Sequence, residues 1–293
     1  MGSAETSRAQ SGLSCPTRLR ALLVLGRVSN LPTVWSNCVA GYWIGGWGPP
    51  AVLALLCFSA TLLYIGGMYL NDACDVEFDR EFRPERPIIA RQVTRRFVLN
   101  AAMASLVCGA LLLFLIDGQT FAWGCALAAT IVVYDVTHKR TAAAPLLMGG
   151  CRFLLYLTAA SAAALPLNPR AILCAVALAL YVAGLSYLAR GESTRRQTLR
   201  GWPWLMLGAP IGLAFASELS LGGVVRSLPL TVCLGFAAVL LQQRQISRAV
   251  GVLLAGIVFV DLLAIASSSL GILAGFVSLF CATLLFQKYV PAT

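Results

Sequence analysis

The length, composition and charge of the chain exclude a soluble globular domain. Of its 293 residues, 59% are hydrophobic and only 12% are charged, whereas soluble domains are about half apolar and a quarter charged. The net charge of +10 comes from 22 basic and 12 acidic residues. The basic side chains cluster between apolar runs, as orientation in a membrane requires, so the expected partner is the lipid bilayer and not nucleic acid.

The apolar runs predict a fold of the all-α class, a polytopic membrane helical bundle. Residues 1–20 are polar and are expected to form a flexible tail, with residues 21–293 as a single transmembrane domain. A hydrocarbon core of about 30 Å needs near 20 helical residues, and we predict nine spans, or ten if the run after residue 200 also crosses, around a central cavity. The runs are 28–46, 51–71, 97–116, 119–135, 143–165, 170–189, 203–221, 227–243, 249–267 and 270–287.

The connections between the runs predict how the chain is oriented. Basic residues concentrate in the loop 80–96, the turn 138–140, the loop 190–200 and the turn 244–248. Because positively charged loops stay inside, these loops and the amino terminus are predicted to face the cytoplasm in an integral, multi-pass protein of a plasma or inner membrane. Alternate connections would then converge on one face, above the cavity.

The segment after the second run carries the strongest chemical signal. Six of the 12 acidic residues lie between positions 72 and 85, and the i, i+3, i+7 spacing of Asp72, Asp75 and Asp79 predicts one face of a helix. Stacked carboxylates repel one another unless a cation lies between them, and Mg²⁺ prefers carboxylate oxygens, water and substrate phosphates. With Arg86 as a planar donor for phosphate oxygens, the segment predicts a magnesium-held phosphate group. The alternative is a span end that simply becomes polar.

Polar residues within the runs and at their ends extend this prediction. Arg152 would be costly in contact with lipid, so it is expected to face the cavity or an acidic partner. Asp261 is expected to pair structurally with a basic residue of a neighbouring helix. Asp135 is placed to orient Lys139 at i+4, and His138 is interpreted as a solvated turn residue.

Three motifs, in this order along the chain, resemble the UbiA superfamily of intramembrane prenyltransferases. The segment NDACDVEFD at 71–79, followed by Arg86-Pro87, is similar to the first acidic signature of that family. It is preceded by RVSNLPTVWSN at 27–37 and followed by YDVTHKR at 134–140. The resemblance covers about residues 20–190, and the pattern also resembles the divergent UbiA-like proteins of Ebo gene clusters.

The resemblance implies Mg²⁺-dependent transfer of a polyprenyl group from a polyprenyl diphosphate to a lipophilic or aromatic acceptor. It assigns catalysis to Asp72, Asp75 and Lys139, and the Mg²⁺ ligands to Asp72, Asp75 and Asp79. Together with the polar positions above, it yields a set of candidate substrate-binding residues: Asn37, Asn71, Arg86, Tyr134, Arg140, Arg152, Arg190 and Glu192.

The loop after the sixth span departs from the family pattern. Family members normally carry a second aspartate-rich motif there, whereas this chain has LARGESTRRQTLR at 188–200, in which Glu192 is the one acid among four arginines. Glu192 alone cannot build a second magnesium site. Arginines such as Arg190 could instead bind the diphosphate directly, the substrate could be something other than a diphosphate, or the loop could only anchor the chain. A second function therefore stays open, that of a non-catalytic UbiA-like membrane protein that binds or helps to transport a hydrophobic metabolite.

Overall fold

A computed structural model describes residues 15–193, 201–217, 221–267 and 269–290. Within these residues the chain forms helices and no strands, which confirms the predicted all-α class. A 3-10 turn at Val28–Asn30 precedes α2. The helices are α1 (Cys15–Leu25), α2 (Leu31–Ile44), α3 (Pro50–Cys74), α4 (Val76–Phe82), α5 (Arg95–Phe114), α6 (Gly118–Thr137), α7 (Ala144–Ser161), α8 (Pro169–Ser193), α9 (Trp202–Ser217), α10 (Leu221–Gln242), α11 (Ile246–Ile265) and α12 (Leu270–Gln287).

Each of the ten predicted apolar runs coincides over most of its length with one of these helices, α2, α3 and α5 to α12. Eight helices in the described part of the chain are long and apolar enough to cross a membrane, namely α3, α5, α6, α7, α8, α10, α11 and α12. The other two are shorter, with 14 residues in α2 and 16 in α9. The run that contains α2 is interrupted at Arg27, which adopts a left-handed conformation with φ 42°. Helix α1 begins at Cys15, inside the stretch predicted as a tail.

Helices that follow one another in the chain mostly pack side by side, and α2 closes the bundle. Helix α3 packs on α5, α7 on α8, α8 on α9 and α10 on α11, while α2 contacts α3, α7, α11 and α12. Buried aliphatic side chains form one large core among α2, α3, α5, α6 and α7, and another among α2 and α7 to α12. Because α2 belongs to both cores, its side chains can link the two halves of the bundle.

The close approach of α2 and α7 depends on a glycine. A Cβ atom at Gly41 would lie 2.7 Å from the Cβ of Ala159 and 2.7 Å from the carbonyl oxygen of Tyr156. A side chain there would force the helices apart. Asn37 lies about one turn before Gly41 on α2, so the same approach brings Asn37 within hydrogen-bond distance of Arg152 on α7.

The chemically distinctive side chains meet at one end of the bundle. Asn71, near the end of α3, donates a hydrogen bond to Asp135, near the end of α6. Arg190, near the end of α8, donates to the carbonyl oxygen of His138. Alternate connections therefore do converge, as the charge pattern predicts, and that this end faces the cytoplasm remains a prediction.

Candidate active site

The acidic segment does not form the single continuous helix that its spacing assumes. Helix α3 ends at Cys74 and α4 begins at Val76, and Asp75 at the junction has a ψ angle of 2°. The regular helix that the spacing assumes is therefore interrupted at Asp75. Backbone hydrogen bonds of the helical type continue on both sides, from the amide of Asp75 to the carbonyl oxygen of Asn71 and from the amide of Asp79 to that of Asp75. That Asp72, Asp75 and Asp79 share one face stays a prediction.

Asp72 lies between two arginines. Its side chain is only 3% exposed, and its carboxylate oxygens lie 3.4 Å from Nη2 of Arg27 and 3.2 Å from Nη1 of Arg86. Burial is the largest single influence on the pKa of Arg27 and acts to lower it, but the surrounding groups, with Asp72 the strongest of them, together raise that pKa. Arg27 therefore keeps its positive charge next to Asp72. The sequence analysis did not list Arg27 as a site residue. Its position, a charged residue that interrupts an apolar run, could have identified it.

Asp75 is paired with the turn that follows α6. Its Oδ1 lies 2.7 Å from Nζ of Lys139 and 3.3 Å from Nε2 of His138. Burial would raise the pKa of Asp75, but the hydrogen bonds from His138 and Lys139 outweigh it and lower that pKa. Burial likewise opposes charge on His138, whose pKa is raised by its hydrogen bond to Asp75. His138 is therefore a residue of the site and not the solvated turn residue that the sequence predicted.

Asp135 takes a different partner from the one predicted. Its Oδ1 accepts a hydrogen bond of 3.0 Å from Nδ2 of Asn71, whereas Lys139 pairs with Asp75. The other oxygen of Asp135, Oδ2, is buried without a hydrogen-bond partner among the described residues. The expectation that Asp135 orients Lys139 is thus wrong. Asp135 bonds to Asn71 on α3, and Lys139 pairs with Asp75, so neither makes the predicted i+4 contact.

Asp79 and Arg86 complete the acidic end. Asp79 is 4% exposed, and burial raises the pKa of its carboxyl group against the opposing charge of Arg86. Arg86 donates from Nη1 to both carboxylate oxygens of Asp72, at 3.5 and 3.2 Å. Arg86 therefore pairs with Asp72, and its contact with substrate phosphate stays a prediction.

Arg190 braces the turn that carries Lys139. Its guanidinium donates to the carbonyl oxygens of His138 at 2.6 Å, Thr141 at 3.2 Å and Ala142 at 3.3 Å. Backbone contacts of this kind fix the position of a turn. The sequence predicted that Arg190 contacts the substrate. In the structure its guanidinium instead supports the backbone of the basic turn.

The remaining predicted residues of this region occupy different positions. The ring of Tyr134 stacks on His138, with centroids 5.2 Å apart, and lines the cavity below. Arg140 is exposed at the end of the turn. Glu192 belongs to the last turn of α8, but its side chain and residues 194–200, where the second aspartate motif would lie, are outside the part of the chain that the structure describes.

A cavity of about 80 Å³ lies among α2, α3, α6 and α7, next to the acidic end. Apolar side chains form most of its wall. Tyr64, Tyr134, Asp135 and Arg152 supply the polar groups. Arg152 therefore lines a cavity, which is one of the two places the sequence allowed for it.

Behind the cavity, a buried network joins α2, α7 and α11. Nη1 of Arg152 donates to Oδ1 of Asn37 at 2.6 Å, and Nδ2 of Asn37 donates to Oδ2 of Asp261 at 2.7 Å. Ser36 also donates to Asp261. Asn37 thus bonds within this network and not at the acidic end, and Asp261 is joined to Arg152 through it rather than by a direct ion pair.

The donor set of the acidic end fits magnesium without forming a complete cage for it. Within the described ranges, no three His, Cys, Asp or Glu side chains are grouped closely enough to hold an ion. Mg²⁺ usually binds through one or two carboxylates and shares its other positions with water and substrate phosphates. Asp72 and Asp75, each opposite cations that can turn toward phosphate, suit that mode.

Comparison with known proteins agrees with this architecture. Relatives include digeranylgeranylglyceryl phosphate synthases from Ignicoccus hospitalis, 33% identical over 124 residues (42% of this chain and 41% of the relative), and from Methanoculleus marisnigri, 32% identical over 123 residues (41% and 43%). The aligned part thus spans about two fifths of the length of these relatives.

Solved structures share the fold. The apo structure of a UbiA homologue from Aeropyrum pernix K1 aligns with a TM-score of 0.66 at 15% identity, over 81% of this chain and 96% of that one. A digeranylgeranylglyceryl phosphate synthase structure aligns with a TM-score of 0.61 at 18% identity, over 85% and 97%. The sequence profile of the UbiA prenyltransferase family matches residues 29–291, nearly the whole chain. The chain therefore belongs to the UbiA prenyltransferase family.

Proposed function

We propose that this chain is an intramembrane prenyltransferase that moves a polyprenyl group from a polyprenyl diphosphate to a lipophilic acceptor, with Mg²⁺ as cofactor. One observation supports this most: carboxylates and cations alternate at one end of the bundle, directly beside a largely apolar cavity. Asp72 lies between two arginines, and Asp75 contacts Lys139 and His138. A polyprenyl diphosphate has an ionic head and an apolar isoprenoid chain, and binding it requires a charged surface next to an apolar one.

The first step that the site would serve is departure of diphosphate. The bond between the allylic carbon and oxygen breaks, and its electron pair leaves with the diphosphate. Arg27, Arg86 and Lys139 would supply positive charge where negative charge develops, and cations held within the site lower a barrier more effectively than water does. Bound Mg²⁺ would supply further neutralisation of the diphosphate oxygens.

Asp72 and Asp75 would hold Mg²⁺ by exchanging their present side-chain cations for the metal ion. In the structure their oxygens contact Arg27, Arg86, His138 and Lys139. With substrate bound, these side chains would turn to the phosphate oxygens, and the carboxylates would become free to hold the magnesium. Each group keeps an opposite charge beside it throughout.

The cavity would protect the allylic cation and receive the acceptor. Its mainly apolar wall excludes water, which would otherwise capture the cation. The ring face of Tyr134 can stabilise positive charge beside it. Asp135 Oδ2, buried at the cavity without a partner among the described residues, is placed to accept the proton that the acceptor loses when its new bond to carbon forms.

The experiment measures diphosphate release from a series of prenyl diphosphates by the protein in nanodiscs, with lipophilic acceptors present. We expect release in Mg²⁺, none after chelation, and a loss of about 10² to 10³-fold in Asp75→Asn. Glu77→Gln, an exposed acid two residues away on α4, should behave as wild type. Lipid binding without release from any donor would instead support the non-catalytic function.

A further inference from the structure

We infer that a second cavity, among α8, α9, α10 and α11, binds an anionic phospholipid, with the lipid phosphate at Arg170 and Arg226 and an acyl chain along the apolar wall. This cavity measures about 500 Å³, and pockets that bind small molecules in proteins measure about 300 to 1,000 Å³. The inference goes beyond the proposed function and does not depend on it, because that function uses the other end of the bundle.

The second cavity lies at the end of the bundle opposite the acidic end. Arg170 is in the first turn of α8, and Arg190, which supports the basic turn, is near the end of the same helix. At 1.5 Å per residue the two arginines are about 30 Å apart along the helix axis, which is the thickness of a hydrocarbon core. The cavity therefore opens near the other surface of the membrane.

Four helices form a ring around this cavity. Helices α8 and α10 each pack on α9 and on α11, so α8 and α10 face each other across the open space. The cavity wall reaches along α8 from Arg170 to Ala177, about 10 Å of helix axis, compared with about 15 Å for half of a hydrocarbon core. The space thus has the depth to hold much of an acyl chain within one leaflet.

The wall of the second cavity is mainly apolar and accessible. Leucine, alanine, valine and proline side chains of the four helices supply most of it. Leu173, which belongs to this wall, is 54% exposed. An unfilled apolar wall forgoes dispersion contacts, and in a bilayer the hydrocarbon of a neighbouring lipid is available to supply them.

Arg170 gives one side of the cavity mouth a positive charge. It is exposed, and its Nη2 donates to the carbonyl oxygen of Ala264, in the last turn of α11, at 3.1 Å. The ion pairs among the described residues do not include Arg170. A guanidinium has five N–H donors, so the bond to Ala264 holds the group at the mouth and leaves donors that match phosphate oxygens.

Arg226 places a second cation on the other side of the mouth. It lies in the second turn of α10, is half-buried and lines the same cavity. Arginines near the ends of spanning helices direct their charge toward the lipid headgroups while their stems cover apolar surface. Two arginines around one apolar cavity therefore favour a headgroup with net negative charge over one that also carries an ammonium group.

Other occupants fit these observations less well. A free phosphate ion would meet the arginines but leave the apolar wall uncovered, and a neutral lipid would do the reverse. A second copy of this chain, related by a two-fold axis, would bring Arg170 and Arg226 of both copies to one interface, where like charges repel. An anionic phospholipid matches both the wall and the charge.

The binding measurement uses native mass spectrometry of the full chain in a neutral detergent, titrated with dioctanoyl phosphatidylglycerol or dioctanoyl phosphatidylcholine. The two lipids share their chains and differ in the net charge of the headgroup. Each arginine near a membrane surface favours an anionic lipid by about fivefold, so we expect one phosphatidylglycerol to bind about tenfold or more tighter than phosphatidylcholine. Inorganic phosphate at the same concentration should not displace it.

The variants separate the charge from the wall. Arg170→Gln should reduce the tenfold preference to about twofold, and the double variant Arg170→Gln/Arg226→Gln should abolish it. Arg248→Gln, which removes an exposed arginine at the start of α11 and so at the acidic end, should match wild type. Ala177→Phe adds a ring to the deep wall and should weaken both lipids about tenfold. If Ala177→Phe does not fold, the arginine variants decide.

The melting temperature in nanodiscs supplies a second readout. A ligand that binds only the folded chain stabilises it by mass action, so replacing phosphatidylcholine by phosphatidylglycerol should raise the melting temperature of wild type by about 3 °C or more. The double arginine variant should show no such rise. Diphosphate release by Arg170→Gln should equal that of wild type, because the acidic end lies about 30 Å away along α8.

Three results would overturn the inference. The first is equal affinity of wild type for the two lipids, and the second is an undiminished preference in the double arginine variant. The third is a dimer of wild type that Ala177→Phe dissociates, which would make a second copy of the chain the occupant. If no prenyl diphosphate is cleaved by wild type, the proposed function fails, while the lipid preference still decides the role of this cavity.

Discussion

The acidic end of the bundle and the network behind the cavity handle buried charge in opposite ways. At the acidic end, Asp72 and Asp75 each contact cations directly. Behind the cavity, Arg152 and Asp261 are separated by the amide of Asn37. Direct ion pairs can exchange partners when a metal and a diphosphate bind, whereas an arginine and an aspartate joined through an amide hold α2, α7 and α11 together.

This difference predicts that the two regions fail separately. Changes at the acidic end should affect the prenyl donor and magnesium. Changes in the network should affect the stability of the bundle. The variants below test that separation, in order of decreasing effect.

Replacement of Asp72 by Asn should have the largest effect. It removes a carboxylate that contacts Arg27 and Arg86, so we expect diphosphate release to fall by about 10² to 10³-fold, or roughly 3 to 4 kcal/mol. Glu81→Gln, an exposed acid on α4, is the matched control, and a similar loss in both variants would contradict a specific role for Asp72.

Asp261→Asn tests the network. Asp261 accepts hydrogen bonds from Ser36 and Asn37, and loss of the charged acceptor should lower the free energy of unfolding by about 2 kcal/mol. The melting temperature in nanodiscs should fall accordingly. Diphosphate release at a temperature well below the melting temperature should stay near wild type. A selective loss of donor release would show that the regions are not separate.

Arg190→Gln tests the connection between the basic turn and α8. Its guanidinium holds the carbonyl oxygens of His138, Thr141 and Ala142, so we expect the turn to loosen and diphosphate release to fall about tenfold, a cost of about 1.4 kcal/mol in barrier height. Arg248→Gln, which removes an exposed arginine at the start of α11, is the control. An unchanged rate in Arg190→Gln would mean that the turn is positioned by its own backbone.

Gly41→Ala should have the smallest effect. The added methyl group would meet Ala159 and Tyr156 on α7 at 2.7 Å, which we expect to cost about 1 kcal/mol of unfolding free energy. Gly235→Ala, on α10 with nothing within 4 Å of the added Cβ, should be neutral or stabilising because alanine favours a helix. Equal melting temperatures for the two variants would contradict the close approach of α2 to α7.

Features that depend on neighbours in the chain could be predicted from the sequence. The ten apolar runs each coincide with a helix because burial in lipid requires continuous apolar residues and internally bonded backbone. The family membership also followed from motifs at 71–79 and 134–140, and the family profile confirms it. The sequence also indicated that Arg86, which lies near the acidic segment in the chain, belongs to this region, and in the structure it contacts Asp72.

Features that depend on packing between distant helices could not be predicted. Asn37 and Asp261 are 224 residues apart in the chain, and no periodicity reports such a contact. The i+4 rule suggested Asp135 for Lys139, but α3 packs beside α6 and brings Asp75 closer. The break at Asp75 was missed for a related reason: the spacing assumes a regular helix, while contacts to His138 and Lys139 favour a junction there.

The most direct test is the melting temperature of the protein in nanodiscs with a non-ionising prenyl thiolodiphosphate, with and without Mg²⁺. If Asp72 and Asp75 exchange their side-chain cations for Mg²⁺, the analogue and Mg²⁺ together should stabilise wild type far more than either alone. Asp75→Asn should lose this joint effect, and Glu77→Gln should keep it. Equal stabilisation with and without Mg²⁺, or an undiminished joint effect in Asp75→Asn, would contradict the account.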